Sequence, residues 1–136
     1  MPEAVIVSTA RSPIGRASKG SLVDLRPDDL GATIVNAALE KVPALDRNLV
    51  EDLIMGSGQP GGEAGYNLGR MVALLADMPD VPGVTVNRYC SSSLQTIRMA
   101  AHAIKAGEGD VFIAAGDEHI ALPGADRVRR HADRLE

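Results

Sequence analysis

Short apolar runs alternate along the chain with longer stretches whose apolar residues recur at helical spacing. Ala4-Val5-Ile6-Val7 is β-branched and uniformly apolar, as a strand covered on both faces should be, and predicts a first strand. Pro13 and Gly15 in Arg11-Ser12-Pro13-Ile14-Gly15-Arg16 leave that strand for a loop that runs to Gly20. Pro27, Asp28 and Asp29 predict a helix start, because Pro lacks only an orphan N–H there and carboxylates meet the positive end of the helix dipole. Leu30, Ile34, Ala37 and Ala38 follow at helical spacing, and Pro43 stops the helix near Val42. Leu53-Ile54-Met55 predicts a second strand that enters a Gly-rich turn at Gly56-Ser57-Gly58. Ala64, Leu68, Met71 and Leu75 give a second amphipathic helix, ended by Pro79. Val84-Thr85-Val86-Asn87 is a third strand. Ser91 or Ser92 is placed to cap a helix with the stripe Leu94, Ile97, Ala101 and Ile104 and a stop at Gly107. Val111-Phe112-Ile113-Ala114-Ala115-Gly116 is the fourth strand.

Strands alternating with helices of this length predict β–α–β units, hence an α/β fold with a mostly parallel sheet and helices on both faces. The expected domain spans residues 1–122. From Gly124 onward the chain is dominated by charge and has no convincing apolar face, so residues 123–136 are read as a poorly ordered, solvated tail. A length of 136 residues with 45% apolar side chains suits one compact domain.

Fourteen basic against eighteen acidic residues leave a net charge of −4, which argues against a nucleic-acid or anionic-membrane surface. One Phe, two Tyr and no Trp argue against stacking platforms for bases or sugars. The apolar stretches are too short to span a bilayer and the N-terminus does not read as a signal peptide, so a cytoplasmic protein with no membrane partner is expected. A single cysteine excludes an intrachain disulfide and a multi-Cys metal site, and His102, His119 and His131 form no ligand-spaced cluster. No metal site is expected, and no residue is assigned to cofactor binding. Gly56-Ser57-Gly58 and Gly61-Gly62 lack the spacing of a dinucleotide fingerprint and the Lys of a P-loop, so they are read as turns. Asp28 and Asp29 are read as helix-start charges rather than a catalytic dyad.

The one thiol, Cys90, lies where the third strand ends and the next helix begins. Free amides and the dipole at a helix N-terminus favour the thiolate, and a sharp strand-to-helix turn exposes a nucleophile. Three readings stand at this point: a nucleophile, a redox-sensing thiol, and a small buried hydrophobe.

Five motifs in order narrow the choice. They are Ala10-Arg11-Ser12-Pro13-Ile14-Gly15-Arg16, Asp29-Leu30-Gly31-Ala32, Gly65-Tyr66-Asn67-Leu68-Gly69-Arg70, Val86-Asn87-Arg88-Tyr89-Cys90-Ser91-Ser92 and Ala115-Gly116-Asp117-Glu118-His119. On these the chain resembles the N-terminal domain of the thiolase family of acyl-CoA acyltransferases. The resemblance implies a three-layer α/β/α domain in which Cys90 is the nucleophile that accepts an acyl group as a thioester. It implies acyl-CoA and coenzyme A as substrates, with no tightly bound cofactor. The reaction it implies is thiolysis of 3-ketoacyl-CoA, as in fatty-acid β-oxidation, or Claisen condensation of two acyl-CoA units.

The family's activating histidine, second catalytic cysteine and Asn-bearing motif lie in a C-terminal half, so this chain is expected to be truncated and inactive alone. The alternative is a non-catalytic remnant or dimerisation module with the same fold. The resemblance further implies a homodimer formed through the edge of the third strand. A family sheet order of 3-2-1-4-5 would put His119 three strands, ~14 Å, from the third strand. His102 is read as solvated, His131 falls in the charged tail, and no histidine is given a catalytic role. Asn67 and Arg70 are read as structural, with Arg70 pairing locally or across a subunit contact. Ser93 stands where the family has Gly, and its side chain is expected to crowd the thioester or shift the helix.

Overall fold

A computed structural model describes residues 2–16 and 19–117. Helix α1 is Pro27–Leu39, α2 is Leu68–Leu75 and α3 is Ser92–Ala106; strands β1, β2 and β3 are Asp52–Ser57, Gly83–Val86 and Phe112–Asp117. Single 3₁₀ turns, Arg47–Leu49 and Gly62–Gly65, precede β1 and α2.

The extended backbone of Arg26 (φ −70°, ψ 139°) is what a following proline demands, and Pro27 opens α1. Val35, Ala32 and Leu39 form its buried face, one step round from the predicted stripe, whose Leu30, Ile34, Ala37 and Ala38 are half-buried. Helix α2 is tied to β2 by side chains reaching backbone. Arg70 donates to the carbonyls of Val81 (2.6 Å) and Pro79 (2.8 Å), and Asn67 Nδ2 donates to the carbonyl of Gly83 (3.0 Å). Both residues therefore have the structural role expected of them, and Arg70 pairs locally.

The three strands are all parallel in the order β2-β1-β3, with Leu53 opposite Gly83 on one side and Ile113 on the other. This corrects two expectations. The run Ala4 to Val7 is not a strand: both flanks of β1 are occupied, and Val5, Ile6 and Val7 are exposed. A β-branched apolar run favours extended backbone but cannot supply the ladder partner that makes a strand. The segment is instead pinned beside the end of α1, where Ser8 Oγ donates to the Ala38 carbonyl and Lys41 Nζ to the Thr9 carbonyl, each at 2.7 Å. With no strand between β1 and β3, the expected order 3-2-1-4 also fails. The predicted third and fourth strands are two places apart, about 10 Å. His119, His131 and the predicted tail lie outside the described residues.

Successive residues of β1 point to opposite faces. Leu53 and Met55 join Val35, Leu39, Leu68, Val72, Ala73 and Ala76 in an aliphatic core beneath α1 and α2, with Ile113 and Ala115 of β3 packed against it. Gly56 faces the other way and lies under the first turn of α3. The sheet thus separates α1 and α2 from α3, the three layers of an α/β/α fold.

Gly56 and Ser57 are buried within β1 rather than forming the predicted turn. The predicted stripe of α3 is also corrected. Leu94 is 69% exposed and Ile97 46%, whereas Ser92, Thr96 and Ala100 are buried against the sheet. Two stripes satisfy the helical period here, and the small one wins because glycine-bearing strands admit a close backbone. Among the described residues, no helix is long and apolar enough to cross a membrane.

Candidate active site

Because the strands are parallel, their C-terminal ends share one edge of the sheet, where α/β folds gather ligands. Ser57 and Asp117 end β1 and β3 opposite one another, and Val86 ends β2 opposite Gly56. The chain passes from Val86 through Asn87, Arg88, Tyr89 and Cys90 into α3, so that edge carries the thiol.

The turn is built by its own polar groups. Asn87 Oδ1 accepts from the Tyr89 N–H at 2.9 Å, closing an Asx-type turn in which Tyr89 takes left-handed backbone (φ 48°). The Ser91 and Ser92 N–H groups donate to the carbonyls of Arg88 (3.1 Å) and Tyr89 (2.9 Å). Ser92 Oγ, fully buried, accepts from the Arg88 N–H at 2.8 Å and donates to the Tyr89 carbonyl at 2.6 Å. The helix cap therefore differs from expectation. Ser91 is the N-cap residue but makes no side-chain cap bond, and Ser92 spends its hydroxyl on the preceding turn. Arg88 Nη1 donates to Gln95 Oε1, which ties the turn to the next helical turn.

Cys90 projects from this turn as an exposed free thiol. The reading of a buried small hydrophobe is thereby excluded. His102 is exposed on α3, roughly 15 Å of helix rise beyond Ser92, too far along the axis to serve the thiol. Among the described residues, no three His, Cys, Asp or Glu side chains are gathered to hold a metal ion.

Beneath the turn, α3 rests directly on two glycines. A Cβ at Gly56 would sit 2.6 Å from the Ser92 carbonyl carbon and 2.8 Å from the Ser93 nitrogen. One at Gly116 would overlap the Ser93 hydroxyl and lie 2.7 Å from Ser93 Cβ. Thr96 Oγ1, 2.8 Å from the Ser93 carbonyl and 3.1 Å from the Ala115 carbonyl, links the helix to β3. These supporting residues escaped the sequence reading, although a signal was present: a lone glycine falls near the C-terminal end of each of two apolar strands, a mark of close backbone approach.

The other polar cluster is remote in role. Arg26 grips Asp28 through Nε (3.0 Å) and Nη2 (2.6 Å), and Asp28 Oδ1 also accepts from the Asp29 N–H at 3.1 Å. Burial pushes the Asp28 carboxyl up, but the Arg26 hydrogen bonds and charge outweigh it and hold the pKa below the ordinary value. A cavity of about 770 Å³ opens beside Arg26, Glu63, Tyr66 and Met71, and Cys90 does not line it. Asp28 is thus a helix-start charge held in an ion pair, as expected.

A parallel α/β sheet with an exposed cysteine on the turn between a strand and a helix defines an α/β protein that presents its thiol at the C-terminal edge of the sheet. The family described as "Thiolase, N-terminal domain" matches residues 4–132, and the chain belongs to it. The chain is 49% identical over 132 residues to a 3-ketoacyl-CoA thiolase of Bacillus subtilis, covering 96% of this chain and 34% of that protein. It is 46% identical over 121 residues to a 3-ketoacyl-CoA thiolase of Shewanella loihica, covering 88% and 31%. It is 48% identical over 122 residues to a beta-ketoadipyl-CoA thiolase of Acinetobacter baylyi, covering 89% and 30%. The chain spans about a third of the length of these relatives.

Proposed function

We propose that the chain is the nucleophile-bearing segment of a thiolase-like acyltransferase, with Cys90 as the acyl acceptor. The observation that carries this reading is the exposed thiol held on a rigid turn at the C-terminal edge of the sheet, in a chain about half identical to 3-ketoacyl-CoA thiolases. In the thiolytic direction, Cys90 Sγ bonds to the 3-keto carbon of a 3-ketoacyl-CoA and the bond between C2 and C3 breaks. The departing enolate of acetyl-CoA takes a proton at C2, leaving the acyl group on sulfur. Coenzyme A thiolate then attacks that thioester, releasing the shortened acyl-CoA and the cysteine thiolate. Run backwards, the same steps condense two acyl-CoA units.

Such chemistry needs a base for the thiol and donors for the oxyanions, and His102 is badly placed for the first. No described residue is placed as that base, and on this reading the base and the rest of the site belong to a C-terminal half, present in the same protein or in a second one. The bare Leu94 and Ile97 face of α3 supports a covering partner of this kind. Residues 1–122 form the working domain under this reading, and the place of action is the cytoplasm, in fatty-acid β-oxidation.

Incubation of the chain with acetyl-CoA followed by intact-mass measurement tests the proposal. An acetyl adduct that disappears in Cys90→Ser upholds acyl transfer by this chain. An adduct that forms only when the C-terminal half of a 3-ketoacyl-CoA thiolase is added assigns the base to that half, and absence of adduct with and without it favours the alternative, a non-catalytic dimerisation module. The position of β2 at one edge of the described sheet supports homodimer formation through that strand. A chain that stays monomeric at high concentration in light scattering would sink the dimer.

A further inference from the structure

We infer that Ser93 and Gly116 are a complementary steric pair that sets the height of the Cys90 turn above the sheet, which makes Ser93 a positioning residue. The inference deepens the proposed acyl-transfer reading and rests on it for its functional meaning. Its geometry stands independently.

Ser93 lies one position inside α3, three residues after the thiol, and is half-buried. Its side chain does not point at the thiol's turn but into the space over Gly116, where any other residue would put its own Cβ. The hydroxyl of Ser93 fills the notch that a missing side chain leaves in β3. Gly56 makes the matching gap in β1, and there the backbone of Ser92 and Ser93 enters rather than a side chain. The first turn of α3 is therefore seated at two points, on adjacent strands, whose register places Gly56 opposite Gly116.

The seat is linked to the thiol by short, stiff connections. Ser92 is bonded back to Arg88 and Tyr89, and Thr96 ties the Ser93 carbonyl toward Ala115 of β3. Raising Ser93 off Gly116 must lift Ser92, and with it the turn bearing Cys90. The expectation that a side chain at this position would crowd the thioester is thereby replaced: the serine occupies the sheet side of the helix, and Gly116 makes room for it.

The test is a double-mutant cycle on the whole chain, read by thermal midpoint and by the iodoacetamide alkylation rate of Cys90, followed across neutral to alkaline pH. Cys90 is the only cysteine, so alkylation reports on it alone. Gly116→Ala is expected to lower the midpoint by about 5 °C or more, as overpacking does. It should also change the alkylation rate by about threefold to tenfold, within what an ångström of misplacement does to a reacting group. Adding Ser93→Gly to Gly116→Ala should restore most of both. A double variant as impaired as Gly116→Ala alone overturns the pair, and so does wild-type behaviour of Ser93→Val, which adds bulk over an unchanged Gly116. If Gly116→Ala does not fold, a folded double variant upholds the pair and an unfolded one counts against it. A chain that is not acetylated by acetyl-CoA even with the C-terminal half of a 3-ketoacyl-CoA thiolase added, yet still shows this coupling, upholds the pair while the acyl-transfer reading falls.

Discussion

On one face of the sheet, Leu53 and Met55 meet Val35, Leu39, Leu68 and Val72 across an aliphatic core; on the other, α3 comes down on glycines with a buried face of Ser92, Thr96 and Ala100. The aliphatic face has bulk to lose and holds its helices mainly through many weak contacts, although Gly69 of α2 also lies close on Gly83 and Val84 of β2, so its energy is large. The glycine face buries Ile54 and Ala100 but fewer large apolar side chains than the aliphatic face. It holds its helix through backbone proximity and hydroxyl hydrogen bonds, which have narrow optimal geometry. Stability is thus concentrated on one side of the sheet and positional accuracy on the other, and the candidate nucleophile rides on the accurate side.

Removing bulk from the aliphatic face should have the largest effect on stability and the least on the thiol. Leu68→Ala should cost about 2–5 kcal/mol, a sizeable part of the stability of a domain this size. The Cys90 alkylation rate, measured on the folded protein in the same sample, should stay at the wild-type value. A changed rate would mean that the two faces are not independent.

Ser92→Ala probes the other side. It strands the Arg88 N–H, which donates to the buried Ser92 hydroxyl, while the Tyr89 carbonyl loses that hydroxyl but keeps the Ser92 N–H. The change should cost about 1–3 kcal/mol. Here the alkylation rate should change along with the midpoint, because the turn that carries Cys90 loses its central tie. Denaturant unfolding paired with alkylation separates the two readouts, and an unaltered rate would break the contrast between the faces.

The smallest effect concerns charge at the head of α1. Asp28 has a folded pKa below its unfolded one, so it adds stability above the unfolded value, about 3.9, that disappears as pH falls through the folded value. Asp52, whose carboxyl burial pushes up, works in the opposite sense and gains stability on acidification. Acid titration of the midpoint should show wild type falling more steeply than Asp28→Asn below about pH 4. Equal slopes would remove the Arg26–Asp28 pair from the ledger of the aliphatic face.

Much of the architecture was legible in the sequence. The Pro27-Asp28-Asp29 start of α1, the stop at Gly107 and three of the four predicted strands follow from local rules: proline geometry, left-handed glycine and runs of β-branched residues. The position of Cys90 between strand and helix was equally legible, because it depends only on where two elements meet. The sequence by itself also determined that the one thiol of the chain falls in that motif, at the strand-to-helix turn.

Tertiary structure decided what depends on partners distant in the chain. Ala4 to Val7 has the pattern of a strand but pairs with no strand among the described residues, and the place beside β1 goes to β3 from nearly sixty residues away. Helix α3 offers two stripes at the same period, and only the glycines of two other strands select the small one. The same glycines decide where Ser93 points. Periodicity tells a residue which direction is inward for its own element, but which of two stripes lies inward is settled by the surface it meets.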